Sequence, residues 1–192
     1  MSHYTLAVFT TDRPSHDAVS VLMSRYEETA CNDDSKWDWW MIGGRWLGEL
    51  IVKPGINDFI LGEPGALGND DQSRGVDGAQ IGDLDLPAML DRERDNRAIH
   101  WDQAYSQQQK GAKPHPWTVD TSSVTKSEYV EQAKPFTPFA YLLDGEWFEK
   151  GQMGWFAIVS DEKTQADWDR QFAEVLEQQP RDRWITVLDC HI

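Results

Sequence analysis

The sequence predicts an α+β fold: a ferredoxin-like, mainly antiparallel sheet with two helices on one face and a large loop-and-helix insertion. Three observations carry this expectation. The two ends of the chain read β-α-β and β-β-α-β. Each end holds one amphipathic helix. The middle, residues 53–136, has a different composition, dense in Gly, Pro and Asp at its start. Neither end alone buries enough apolar surface to be stable, so economy places both in one sheet. The expected organisation is therefore a single domain over 1–192, with a core of 1–52 and 137–192 interrupted by the insertion 53–136.

Residues 3–10, HYTLAVFT, are rich in β-formers and read as a buried strand. TDRPSHD supplies a turn in which Ser15 can cap a helix. Ala18, Val19, Val21, Leu22 and Tyr26 then share one helical face, and the helix is expected to end near Thr29. After a polar loop and the Trp-rich stretch, RWLGELIV (45–52) alternates as a second strand. In the C-terminal part, Asp144-Gly145 between β-prone flanks is a two-residue hairpin signal. GWFAIVS (154–160) reads as a strand. Thr164 can cap a helix whose Trp168, Phe172, Val175 and Leu176 share a face, and Pro180 stops it. RWITVLDCHI is the last strand. Within the insertion, Leu86, Met89, Leu90, Ala98 and Trp101 lie at near-helical spacing. Thr125 with Glu128 forms a capping-box pattern opening a short helix through Ala133.

Composition narrows the function. The chain has 192 residues, 40 % of them hydrophobic and 11 % aromatic, enough for a sizeable core. No apolar run has the length of a membrane span, and the N-terminus does not read as a signal peptide, so a cytoplasmic protein is expected. Cys31 and Cys190 read as reduced thiols. Lys and Arg number 18 against 33 Asp and Glu, a formal charge of −15. Such a field repels nucleic acid and anionic membranes, so neither is an expected partner. It permits a local anion pocket, a basic protein partner, or simple solubility.

Four of the ten tryptophans fall in SKWDWWMIGGRW, residues 35–46. The flat faces of Trp37, Trp39, Trp40 and Trp46 can stack a base. Gly43 and Gly44 let a ligand approach the main chain, whose N–H groups can cradle an anion, and Arg45 can grip a phosphate. The competing reading is a tight turn beside core tryptophans. Strand alternation sends Trp37 and Trp39 one way and Trp40 the other. Asp189 and His191 share a strand face, as a base with its orienting carboxylate, as two metal ligands, or as an inert terminus. His3, His16, His100 and His115 are scattered, so no metal site of the usual spacing and no cofactor is expected. Glu149, in the glycine-bearing GEWFEKGQMGWF, is either a general acid–base or a solvated hairpin carboxylate. No Walker loop, nucleophile elbow, zincin or dinucleotide fingerprint is present.

CNDDSKWDWWMIGGRW (31–46), DGEWFEKGQMGWF (144–156) and DCHI (189–192) together resemble a family of uncharacterised proteins met in bacteriophages and bacteria. Its members carry a Lys-Trp-Asp-Trp-aromatic-x-Ile-Gly-Gly-Arg-Trp block, a Gly-x-Trp-x-Glu-x-Gly-x-Met-Gly-Trp block and a closing Asp-Cys-His-Ile. The resemblance implies a phage-like context, hence a host cytoplasm. It also implies that Trp37, Asp38, Gly43, Gly44, Arg45, Trp147, Glu149, Trp155, Asp189 and His191 belong to one site.

Two functions follow as expectations. The first is a small-ligand protein that sequesters or hydrolyses a nucleotide-like, phosphate-bearing molecule, such as a host immune signalling nucleotide. Trp37, Trp39, Trp46, Trp147 and Trp155 would supply aromatic surface, with Asp38 beside them and Gly43, Gly44 and Arg45 as the anion grip. His191, Asp189 and Glu149 would supply proton transfer if the ligand is hydrolysed. The second is an acidic interaction protein that imitates nucleic acid and inhibits a basic host defence enzyme. The sequence leaves open whether the protein is an enzyme, and leaves its oligomeric state open.

Overall fold

The structure is a computed structural model describing residues 2–29, 31–65, 75–114, 118–153 and 159–192. In chain order the elements are β1 (His3–Thr10), α1 (His16–Met23), β2 (Trp39–Gly44), β3 (Glu63–Pro64), β4 (Gly78–Gln80), α2 (Leu86–Gln109), α3 (Lys126–Glu131), β5 (Ala140–Leu143), β6 (Glu146–Glu149), β7 (Gln152–Met153), β8 (Val159–Ser160), α4 (Gln165–Gln178) and β9 (Trp184–His191). They fall into two compact units, Met1–Leu84 with Thr137–Ile192, and Asp85–Phe136. Residues 53–84, expected in the insertion, thus belong to the sheet unit. The reason is pairing: β4 lies antiparallel to β9, with Gly78 opposite Thr186.

The sheet unit is mixed α+β. Its main sheet runs β3-β2-β9-β1-β5-β6, with β4 also on β9. The pairings β1–β9, β2–β9 and β5–β6 are antiparallel, whereas β1–β5 and β2–β3 are parallel. The last strand of the chain therefore sits in the middle, between the first strand and the Trp-rich strand.

The helices do not share a face, which corrects the two-helices-on-one-face expectation. Val19 and Met23 of α1 cluster with Tyr4, Leu6, Val8, Leu188 and Cys190. Phe172 of α4 meets Phe9 at 6.3 Å between ring centroids, and Trp168 stacks on Tyr141 at 5.5 Å. Val8 and Phe9 are strand neighbours and point to opposite sides. Five of the eight residues of β1 and seven of the eight of β9 are buried, on both parities, as two covered faces require. The two apolar parities of β1 were the signal: HYTLAVFT is apolar on both.

Local chemistry fixes the boundaries. Ser15 accepts from the Ala18 N–H and caps α1. The helix tightens at Met23 into a single 3-10 turn over Ser24–Tyr26, short of the expected end. Thr164 caps α4 through the Asp167 N–H. Asp144 (φ 53) and Gly145 (φ 82) form the β5–β6 turn with both central residues left-handed, the twist a two-residue hairpin needs. The second strand is not RWLGELIV but WWMIGG. Gly43 (φ 81) and Gly44 (φ 60) turn the chain left-handed at its end, and Trp46 N–H closes a turn onto the Gly43 carbonyl at 3.1 Å. Leu50 and Val52 keep only isolated bridges, to Val76 and Leu84. Of the expected strand 154–160, residues 154–158 lie outside the described residues and Val159–Ser160 form β8.

In the second unit, Asp85 caps α2 and Pro87 opens it. Thr125 and Glu128 make the reciprocal capping box of α3. The two helices are joined by Arg97, which donates to the Tyr129 carbonyl at 3.0 Å and lies over its ring at 4.8 Å. No helix among the described residues is long and apolar enough to cross a membrane.

Candidate functional site

The register of three strands builds the site. His191 of β9 lies opposite His3 on β1 and opposite Trp39 on β2. Directly paired residues of adjacent strands share a face, so His3, His191 and Trp39 stand side by side. Asp189, two residues back on β9, joins them. Together with Asp38 and Arg45, the two histidines and Trp39 line an open cavity of about 630 Å³.

Each histidine is held by its own carboxylate. His3 Nδ1 meets Asp189 Oδ1 at 2.8 Å, and His191 Nδ1 makes a short contact with Asp38 Oδ1. The carboxylates fix ring orientation through Nδ1 and leave each Nε2 without a hydrogen-bond partner among the described residues. The rings meet nearly edge to face, centroids 4.9 Å apart and planes at 71°.

The expected pairing of His191 with Asp189 is thus replaced by a crossed one. Asp189 is neighbour to His191 in sequence, but residues i and i+2 of a strand stand about 7 Å apart. Diagonal neighbours across the ladder lie at a similar distance, within reach of a long side chain. Asp189 reaches His3, and His191 reaches back to Asp38, whose N–H donates to the His191 carbonyl at 2.9 Å.

The Gly-Gly-Arg turn does hold an anion, but the anion is the protein's own. Arg45 N–H donates to Asp189 Oδ2 at 3.0 Å. A side chain at Gly44 would put its Cβ 2.4 Å from Asp189 Cβ, and the φ of +60 already disfavours one. Gly44 is therefore the gap through which Asp189, 1 % exposed, tucks beneath the turn. The Arg45 guanidinium is exposed and has no ion pair or hydrogen bond among the described residues. It is the cation of the cavity, and with its backbone occupied only its side chain remains to meet a ligand.

The other sequence-predicted residues divide. Trp39 is 44 % exposed and presents its edge to His3 at 6.1 Å. Trp37 is core: its Nε1 donates to the Met23 carbonyl at 3.0 Å, and its ring meets Trp40 edge-on. The expected Trp37–Trp39 alternation fails because the strand begins only at Trp39. Trp46 sits in the turn after β2 and does not line the cavity. Trp147 packs on Tyr26 and Tyr4, on the α1 side of the sheet. Glu149 goes with it, accepting from Trp147 Nε1 at 3.0 Å and Lys36 Nζ at 2.9 Å. Both are therefore across the sheet from the histidines. Trp155 lies outside the described residues.

Cys190 lies between Asp189 and His191 but points to the opposite side, fully buried against Tyr4. Burial, then the Asp189 charge, pushes its thiol well up. Burial likewise pushes the Tyr4 hydroxyl well up. Neither serves as a nucleophile for the cavity. Among the described residues, no group of three or more His, Cys, Asp or Glu side chains is placed to hold a metal ion.

His3 is the cavity residue that reading along the sequence misses. Its signal is topological: once the first and last strands pair antiparallel, a histidine at the start of one must face a histidine at the end of the other.

No protein-family model, curated protein or solved structure matches this chain.

Proposed function

We propose that the cavity binds a nucleotide-like, phosphate-bearing molecule and cleaves it by acid–base catalysis. The observation that carries this reading is the pair of carboxylate-oriented histidines, His3 with Asp189 and His191 with Asp38, facing one cavity beside the unpaired Arg45. One imidazole can accept a proton while the other donates one, a combination worth roughly 10²–10⁴-fold per group. Arg45 supplies the charge that a phosphate needs and that a net −15 protein otherwise lacks. Trp39 supplies an exposed aromatic surface for a base. The motif resemblance to phage proteins favours a host signalling nucleotide as the ligand.

Thermal shift and turnover over a panel of linear and cyclic nucleotides test this. At 100 times its dissociation constant a ligand adds about 2.7 kcal/mol of stability. Arg45→Ala should remove that shift while leaving the ligand-free melting temperature nearly unchanged, because the side chain is exposed. His191→Asn should keep the shift and lose turnover. If no nucleotide shifts the wild type and the protein instead retains a basic host enzyme, its acidic surface is the functional element and the cavity reading is wrong.

A further inference from the structure

We infer that the substrate is a short ribonucleotide phosphodiester, cleaved by attack of its own vicinal ribose hydroxyl rather than by water. This rests on the proposed acid–base reading and names the substrate class for it.

The two imidazoles decide the bond type. A phosphodiester with an alkoxide leaving group needs a base on the attacking hydroxyl and an acid on the departing oxygen. The cavity offers one nitrogen for each task on rings 4.9 Å apart. A phosphoanhydride leaves as a stabilised anion and would use only half of this equipment. The cavity lining favours a tethered nucleophile. Among the described residues it comprises His3, Asp38, Trp39, Arg45 and His191. Both carboxylates are committed to imidazoles. A water would have to be held in line by the base imidazole alone, in a cavity open to bulk solvent. A hydroxyl tethered next to the phosphate needs no such help, because the covalent link supplies the orientation. Effective molarities of well-placed intramolecular groups reach about 10⁵–10⁸ M.

In the step itself, Nε2 of one imidazole takes the proton from the ribose hydroxyl, and that oxygen bonds to phosphorus. The phosphorus–oxygen bond to the next nucleoside breaks, and its oxygen takes the proton from Nε2–H of the other imidazole. The products are a cyclic phosphate and a free hydroxyl. The imidazoles end with protonation states exchanged, and solvent restores them. Arg45 holds the non-bridging oxygens. The charge of the protein decides the length: at −15 it repels a long polyanion, whereas a dinucleotide presents one or two charges to Arg45.

The test compares adenylyl-adenosine, 3′,5′- and 2′,5′-linked and as the cyclic dinucleotide, with counterparts lacking the vicinal hydroxyl. Products are followed by chromatography and phosphorus NMR. The expected result is cleavage of at least one ribose form to a cyclic phosphate and adenosine or its nucleotide, with the matched deoxy form bound but turned over at least ~10²-fold more slowly. His3→Asn and His191→Asn should each lower the ribose rate by ~10²–10⁴-fold and together flatten its bell-shaped pH profile. Equal cleavage of ribose and deoxy forms, with solvent oxygen in the product, overturns this inference but leaves the acid–base reading standing. Binding and cleavage of none of them overturns both.

Discussion

Asp77 and Asp189 are two buried aspartates held by one device and put to different uses. Each is essentially unexposed, and each accepts backbone N–H groups from glycine-bearing turns. Asp77 takes Gly48 N–H and Gly62 N–H, both at 2.7 Å. Asp189 takes Arg45 N–H and then His3. Asp77 is turned wholly inward, has no cation in contact among the described residues, and burial raises its carboxyl above its ordinary value despite the two donors. It ties the segments 44–48 and 60–62 to the sheet. Asp189 is turned half outward, through a histidine that faces the cavity. A buried carboxylate thus reaches a cavity when one of its partners is a side chain that lines that cavity.

The largest effect that could break this contrast is Asp77→Ala. It orphans two buried donors, each worth about 1–3 kcal/mol, so unfolding free energy should fall by about 2–5 kcal/mol in urea titration. The cleavage rate per folded molecule should stay unchanged. Loss of turnover at intact stability would make Asp77 part of the site and erase the distinction. Next is Gly44→Ala, where left-handed strain and the collision with Asp189 should cost about 2–4 kcal/mol. Here turnover should fall as well, since the displaced carboxylate releases His3. Asp189→Asn should cost less, about 1–2 kcal/mol, because the amide oxygen can still accept from Arg45. Its cleavage rate should nonetheless drop by about 10²-fold while ligand affinity holds.

The smallest effect is a slope. With its folded-state carboxyl raised above the unfolded value near 3.8, Asp77 favours folding most in its neutral form. That contribution is complete below the unfolded value and is lost as pH rises through the folded one. Asp77→Asn, which keeps one of the two acceptors, should therefore show its smallest deficit against wild type near neutral pH, and the deficit should grow as pH falls toward 3. A deficit that shrinks on acidification would mean that Asp77 is stabilised as the anion.

Much of this molecule was legible along the chain. Ser15, Thr164, the Thr125–Glu128 box and Asp144-Gly145 are local devices, and they fixed element boundaries because their partners lie within a few residues. Facing was not legible. The opposite placement of α1 and α4 depends on β1 being apolar on both parities, which single-strand periodicity does not resolve. Asp38, Arg45, Asp189 and His191 could be named as candidates, but their pairing could not. Hydrogen bonds that span 186 and 153 residues are set by strand register rather than by spacing. Glu149 and Trp147 show the same limit: the motif resemblance groups them with the cavity residues, and pleat parity places them on the α1 side of the sheet.

The position of β9 has a consequence for biosynthesis. It follows every other element in the chain, yet it fills the slot between β1 and β2. A nascent chain emerging in order carries two unsatisfied strand edges until residues 184–191 arrive. Only then do the two histidines meet. Only a chain extended through His191 can assemble the proposed pair, so a ribosome stalled before residue 184 releases a product that lacks it and carries two open strand edges.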